Sequence, residues 1–155
     1  MTTTYPGPVV SAHWLAKHLG DLAITIVDAT VHLPDTGRNA RSEYTQNHIP
    51  GAIFLDFDRV SDPGNRLPRK CPGSKHFAAE IGALGINNDT HVIAYDTPGL
   101  YSAARVWWLF RHYGYDKVSI LDGGLEAWRQ AGLPIASGDE PTKKVKFSPS
   151  RERGL

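Results

Sequence analysis

One stretch of the sequence, HVIAYDTPGLYSAARVWW at residues 91–108, limits the possible folds more than any other. It opens with an apolar, β-branched run that includes Val92 and Ile93, which is typical of a buried parallel strand. A short loop with a glycine follows, and the helix-forming run from Ser102 predicts a helix. This order of strand, loop and helix directs backbone N–H groups toward the first residue of the loop, Asp96. The stretch therefore predicts an α/β unit that carries an anion-binding loop.

The residue at the start of that loop decides which chemistry the loop can perform. An enzyme would place a thiolate nucleophile there, because backbone N–H groups and a helix N-terminus lower the pKa of a thiol. This chain has the carboxylate of Asp96, which cannot accept sulfur. We expect Asp96 to act as a structural cap whose oxygens accept the loop N–H bonds, rather than as a catalyst. The loop comprises Asp96, Thr97, Pro98, Gly99, Leu100, Tyr101 and Ser102.

Predicted strands and helices alternate along the whole chain. Such alternation implies a central, mostly parallel sheet with helices on both faces, that is, an α/β fold in three layers with about five strands. Besides the strand before Asp96, the predicted strands are Ile24–Val27, Ile53–Leu55 and Val118–Leu121. The predicted helices are a short one from Ser11, then Ala40–Asn47, Ser74–Leu84, Ser102–Tyr113 and Leu125–Ala131.

Composition excludes several classes of protein. The chain has 155 residues, 41% of them hydrophobic, and its 17 Lys and Arg against 16 Asp and Glu give a formal net charge of +1. This balance offers no case for binding nucleic acid or a membrane surface. A single cysteine excludes an internal disulfide and, with no leader pattern at the start, favours the cytoplasm. The seven histidines show no metal-binding spacing, so we expect neither a metal nor a cofactor.

The chain divides into three parts by composition. Residues 1–8 are expected to form an N-terminal tail and residues 9–136 the folded domain. From residue 137 the sequence becomes rich in Gly, Asp, Pro, Lys and Ser, which is typical of an inter-domain linker over residues 137–155. Lys144–Phe147 is a candidate short edge strand within it.

Three motifs occur together in a characteristic order: YTQNHIPGA at residues 44–52, the loop YDTPGLYSA at residues 95–103, and LDGGLEAW at residues 121–128. In this order and spacing they resemble the rhodanese family of sulfurtransferases, with H-I-P-G-A as its N-terminal signature and G-G-hydrophobic-x-x-W as its C-terminal one. The signature residues, for which we expect structural roles, are His48, Pro50, Gly51, Asp122, Gly123, Gly124 and Trp128.

The finer resemblance is to the N-terminal, non-catalytic domain of two-domain thiosulfate and 3-mercaptopyruvate sulfurtransferases, because RVWWLFRHYGY (residues 105–115) and the aspartate that opens the loop both belong to that half. In the family, the catalytic half carries C-x-x-G in the loop, and its cysteine takes sulfur as a persulfide. Here Asp96 occupies the position of that cysteine. The resemblance implies a catalytic rhodanese domain as the partner, normally on the same chain, and an isolated chain that is inactive or nearly so.

Some residues allow a second interpretation. His48 could be a general base, but in an H-I-P-G turn we expect a hydrogen-bonding anchor. Asp28 and Asp122, at predicted strand ends, could form a carboxylate pair, although we expect turn-forming roles. Cys71 is a rival nucleophile because Arg69 and Lys70 would lower the pKa of its thiol. It lies in a proline-rich loop outside any family motif, so we expect it to be incidental.

Two other functions remain to be weighed. A stand-alone, inactive rhodanese module that binds a protein or a small anion is the alternative, and an extended exposed apolar patch would argue against it. A phosphatase on the same fold fails on chemistry, because its loop needs a cysteine and a phosphate-binding arginine where this loop has Asp96 and Ser102. The sequence does not separate thiosulfate from 3-mercaptopyruvate as the sulfur donor.

Overall fold

The computed structural model describes residues 7–32, 36–60, 73–97 and 102–149. The strands are β1 (Val9–Val10), β2 (Ile24–Asp28), β3 (Ile53–Phe54), β4 (His91–Tyr95) and β5 (Val118–Leu121). The helices are α1 (Ala12–Ala16), α2 (Ala40–Gln46), α3 (Phe57–Val60), α4 (Ser74–Ala83), α5 (Ser102–His112) and α6 (Gly124–Gln130). The five strands form one sheet in the order β1-β5-β4-β2-β3, and each neighbouring pair is parallel. The predicted α/β class with a sheet of about five strands is confirmed.

The two faces of the sheet are covered by different helices. On β4, Val92 and Ala94 belong to a core cluster that also draws residues from α3, α4 and α5. Ile93 and Tyr95 belong to a second cluster with residues of α1 and α6. All five residues of β4 are buried, which explains why its sequence is a continuous apolar run and not an alternating one.

Residues 136–148, which we call the C-terminal strap, pack along the domain after α6. Ala136 exchanges two backbone hydrogen bonds with His48, at 3.0 and 2.8 Å. Further along, the N–H of Val145 donates to the carbonyl of Gly82 in α4 at 2.9 Å. Phe147 is 4% exposed and belongs to the core cluster between α4 and α5. The segment predicted as a linker is therefore packed on the domain through Ser148, while its role as a linker stays a prediction.

Two details differ from the sequence-based expectations, and some predicted site residues cannot be compared. No strand forms at Lys144–Phe147, because this part of the strap runs beside α4 and not beside a strand. The short elements β1 and α3 were not predicted, since two and four residues are too few to show a hydrophobic period. Cys71 and the loop residues Pro98, Gly99, Leu100 and Tyr101 lie outside the described residues.

Candidate functional site

The predicted loop begins where β4 ends, between the carboxyl ends of its two neighbours in the sheet. Tyr95 is the last residue of β4 and is in register with Asp28, the last residue of β2. The third strand end at this edge is that of β5, which Asp122 follows. Parallel strands bring their carboxyl ends to one edge of the sheet, where α/β proteins place their sites. The location predicted for Asp96 from the sequence is therefore the one found.

Asp96 is 4% exposed, and its side chain contacts the start of α5. Its Oδ2 atom accepts a hydrogen bond from the backbone N–H of Ala103 at 2.9 Å. The N–H of Thr97 donates instead to Oγ1 of Thr30, at 3.1 Å. The bond that the structure describes to the carboxylate thus comes from the first turn of α5, one residue beyond the predicted loop. Ser102, the first residue of α5, has a buried hydroxyl without a hydrogen-bond partner.

The backbone of Asp96 is fixed from the opposite side by the LDGG turn. Its carbonyl oxygen accepts the N–H of Leu125 at 3.1 Å. Gly124, which begins α6, has a φ of +60°, and a Cβ at this position would lie 2.3 Å from that same oxygen. Gly123 has a φ of +75°. The two glycines therefore allow α6 to approach the loop closely, in agreement with their expected structural role.

A buried network that sequence reasoning did not find lies beside Asp96. Oδ1 of Asp28 accepts bonds from the backbone N–H and the hydroxyl of Thr30, at 2.9 and 2.6 Å. Tyr95 donates its hydroxyl to the Asp28 carboxylate and accepts the N–H of Ile49 at 3.3 Å. Burial raises the pKa of Asp28 and outweighs these hydrogen bonds, and the nearby charge of Asp96 raises it further. Burial also raises the pKa of Tyr95 well above its ordinary value.

Asp28 and Asp122 do not behave as a pair. Asp28 is 2% exposed and interacts electrostatically with Asp96, whereas Asp122 is exposed. The backbone N–H of Asp122 donates to the carbonyl of Val10 at 2.8 Å, which continues the pairing of β1 with β5. The carboxylate that interacts with Asp28 is therefore that of Asp96 and not that of Asp122.

His48 is completely buried, and both of its ring nitrogens have partners. Nδ1 lies 2.9 Å from the carbonyl oxygen of Tyr44, and Nε2 lies 3.1 Å from Oε1 of Glu140 in the C-terminal strap. Neither nitrogen is thus directed at Asp96. The histidine joins the strap to α2, as an anchor and not as a base of the loop.

The other signature residues occupy turns and the core. The turn at Pro50 and Gly51 is closed by a bond from the N–H of Ala52 to the carbonyl of Ile49 at 2.9 Å, and Gly51 has a φ of +83°. Trp128 is completely buried, and its indole N–H donates to the carbonyl of Pro134 at 2.7 Å.

The site offers acceptors and no nucleophile of the persulfide-forming kind within the described ranges. Thr97 and Asp28 line a recess of about 160 Å³ whose charged residues also include Arg38, Glu43 and Arg129. Among the residues that the structure describes, two guanidinium groups and two carboxyl groups line this recess. No group of three His, Cys, Asp or Glu side chains suited to a metal occurs among the residues that the structure describes. No helix in these ranges is both long and apolar enough to cross a membrane.

The fold and the site define a class: a parallel α/β domain with helices on both faces, in which Asp96 follows the central strand β4 and its carboxylate binds the start of the helix α5. The sequence model of the rhodanese-like domain family matches residues 11–131, and the chain belongs to this family. It is 44% identical over 145 residues to the 3-mercaptopyruvate sulfurtransferase of Rattus norvegicus, covering 90% of this chain and 49% of that protein. It is 45% identical over 149 residues to thiosulfate/3-mercaptopyruvate sulfurtransferase 1, mitochondrial, of Arabidopsis thaliana, covering 94% of this chain and 39% of that protein.

Solved structures agree with the sequence relatives. The crystal structure of SseA from Escherichia coli, described as a 3-mercaptopyruvate sulfotransferase, superimposes with a TM-score of 0.85 at 40% identity. The match covers 96% of this chain and 56% of SseA. The chain therefore spans about half the length of the curated relatives it matches.

Proposed function

We propose that this chain is the N-terminal, non-catalytic rhodanese domain of a two-domain sulfurtransferase. The whole protein would take sulfane sulfur from thiosulfate or 3-mercaptopyruvate and pass it to cyanide or a thiol through a cysteine persulfide in the second domain. The donors named for the relatives and the half-length match support this proposal. The domain described above would pack against the catalytic half and shape the cleft between the two.

One observation carries the proposal: the carboxylate of Asp96 is bonded to the N-terminus of α5. The resemblance to the family implies that this is the position of the catalytic cysteine in the other half. In a catalytic loop these N–H groups and the helix dipole would stabilise a thiolate or persulfide. A carboxylate oxygen in their place satisfies the same donors and forms no persulfide. On this proposal the start of α5 keeps its acceptor while sulfur transfer at this position is lost.

The neighbourhood of the loop supports a role in contact with another domain. A recess of about 150 Å³ beside the start of α5 is lined by Val31, Phe57, Ser102 and Arg105, and its exposed surface is almost entirely apolar. It lies at the edge of the sheet that carries Asp96. This recess is where we propose that the second domain makes contact.

The test is to incubate the chain with thiosulfate or 3-mercaptopyruvate and measure its intact mass, then assay thiocyanate formation with cyanide. We expect no gain of a sulfur atom and no thiocyanate above the buffer control. Sulfur loading or thiocyanate formation that disappears in Cys71→Ser would make Cys71 the nucleophile and would contradict the inactivity proposed for this chain. The coding sequence downstream of Leu155 is a further test, which should encode a second H-x-P-G motif and a cysteine-bearing loop.

Two finer points belong to this proposal. A stand-alone inactive module is the alternative; a complex of this chain with a separately expressed cysteine-bearing rhodanese domain, detected by size-exclusion chromatography, would argue against it. We also propose a cytoplasmic location, on the basis of the single cysteine, although the Arabidopsis relative is named mitochondrial. Fractionation of cells that express the tagged protein checks the location.

A further inference from the structure

The contact between His48 and the C-terminal strap has an unusual proton requirement. Nδ1 of the ring faces the carbonyl oxygen of Tyr44, and a carbonyl oxygen can only accept. Nε2 faces Oε1 of Glu140, and an ionised carboxylate can also only accept. Both bonds therefore form only when both ring nitrogens carry a proton, or when a proton is shared between His48 and Glu140.

The opposite protonation state is unfavourable at the same geometry. With a neutral ring whose Nδ1 donates to Tyr44, the lone pair of Nε2 would face a carboxylate oxygen 3.1 Å away. The side chain of His48 is 0% exposed and that of Glu140 30%, so water has access to one partner only. A buried acceptor without a donor costs free energy, and the strap can remove this cost by moving Glu140 away.

Among the charged side chains near His48, Glu140 is the one that can act as the counter-ion of its ring. Asp139, the preceding strap residue, is paired with Arg41 of α2 at 3.2 Å, and both side chains are about 60% exposed. The ring of Tyr44 stacks on His48 with centroids 4.4 Å apart. Burial raises the pKa of Tyr44, whose hydroxyl donates to Ala52, so this group stays neutral. Arg41 is thus offset by Asp139.

We propose that His48 and Glu140 form a proton-dependent clasp that fixes residues 136–140 of the C-terminal strap to α2. The clasp closes when one proton is taken up from solvent, and it opens when that proton is released, because Tyr44 and Glu140 then offer two acceptors to a ring with a single N–H. Two bonds next to it report its state: the N–H of Gly138 donates to the carbonyl of Thr45, and the N–H of Glu140 donates to the hydroxyl oxygen of Tyr44. Because the strap follows α6, the clasp determines how firmly residues 136–140 are held on the domain.

The experiment is amide hydrogen exchange on the 155-residue chain at about pH 5.5 and about pH 8, corrected for intrinsic exchange rates. We expect the amides of Gly138 and Glu140 to be at least about fivefold more protected at the lower pH. The amide of Val145, which binds Gly82 farther along the strap, is the internal control for changes in overall stability. Its protection should change much less.

The matched variant is Glu140→Gln, which keeps the shape of the side chain. The amide N–H of glutamine can donate to Nε2 of the neutral ring, so the contact no longer needs the additional proton. We expect the strap amides of this variant to be equally protected at both pH values. Equal protection in the unmodified chain, or a pH dependence that persists in Glu140→Gln, would overturn the proposal. So would ring ¹⁵N chemical shifts showing that His48 carries a single proton while the strap is protected.

Discussion

Oδ2 of Asp96 lies 2.9 Å from the backbone nitrogen of Ala103, seven residues later in the chain. Ala103 is the second residue of the 11-residue helix α5, so its N–H has no partner within the helix. The carboxylate satisfies that donor and places a negative charge at the positive end of the helix dipole. Asp96 therefore caps α5 from the other end of the segment that joins β4 to the helix.

Replacing Asp96 should lower the free energy of unfolding, by an amount that depends on whether the new side chain keeps an oxygen that can accept the Ala103 N–H. Asp96→Ala leaves the Ala103 N–H without its acceptor, and we expect the free energy of unfolding to fall by about 2 kcal/mol. Asp96→Asn keeps an oxygen acceptor and loses only the charge, which should cost less than about 1 kcal/mol. Urea unfolding at neutral pH measures both. Equal midpoints for the alanine variant and the unmodified chain would show that the cap contributes nothing.

The close approach of α6 to the loop gives a second prediction. Gly124→Ala places a Cβ 2.3 Å from the carbonyl oxygen of Asp96. Gly132 has a similar positive φ, +72°, but nothing lies within 4 Å of a Cβ there, so Gly132→Ala is the matched control. Gly132→Ala should lower the free energy of unfolding by about 1–2 kcal/mol through backbone strain alone. We expect Gly124→Ala to cost about 2 kcal/mol more, because backbone atoms must also move. Similar thermal midpoints for the two variants would contradict this explanation.

Local patterns were sufficient to predict four of the five strands and the place of Asp96. β4 and β5 begin and end close to their apolar runs, because strands buried on both faces consist mainly of apolar residues. The start of α1 was also predictable, since Ser11 accepts the N–H of Trp14 as its N-cap. The strand-loop-helix order alone was enough to place Asp96 at the carboxyl edge.

Contacts between distant residues could not be predicted in the same way. Thr30 and Thr97 are 67 residues apart, and His48 and Glu140 are 92 apart. Nothing in the composition of residues 137–149 distinguishes a packed strap from a solvated linker, apart from the single aromatic residue Phe147. That residue was the available signal, because a lone aromatic in a polar segment gains free energy only by burial.

Phe147 should therefore stabilise the domain although it lies outside the predicted domain boundary. It packs among aromatic rings of Phe77, Phe110 and Tyr115, with centroids 5.4 to 5.9 Å away. Phe147→Ala should lower the free energy of unfolding by about 3–4 kcal/mol, as for other buried phenylalanines. The exposed neighbour Lys146 supplies the control. Lys146→Ala should change the free energy of unfolding by less than about 0.5 kcal/mol. Chemical denaturation of both variants compares them, and equal effects would mean that the strap adds no stability.

The pH dependence of stability should be governed in part by His91, at the start of β4. The side chain is buried, and its Nε2 lies 2.9 Å from the hydroxyl oxygen of Ser119, which itself donates to the carbonyl of Gly7. Ser119 therefore accepts the N–H of a neutral ring. Burial lowers the pKa of His91 to about 4, and the charge of Lys117 adds to the effect.

Because the folded pKa of His91 lies below its unfolded value, the unfolded chain binds a proton first as the pH falls. The contribution of this residue to stability is complete above the unfolded pKa of about 6.5 and is lost progressively between about pH 6.5 and about pH 4. Between about pH 7.5 and pH 5 the loss should be about 2 kcal/mol. His91→Gln, which cannot take up this proton, should remove that slope, so the difference in unfolding free energy between the two proteins should change with pH by this amount. Curves that stay parallel over this range would show that His91 is solvated well enough to charge within the native state.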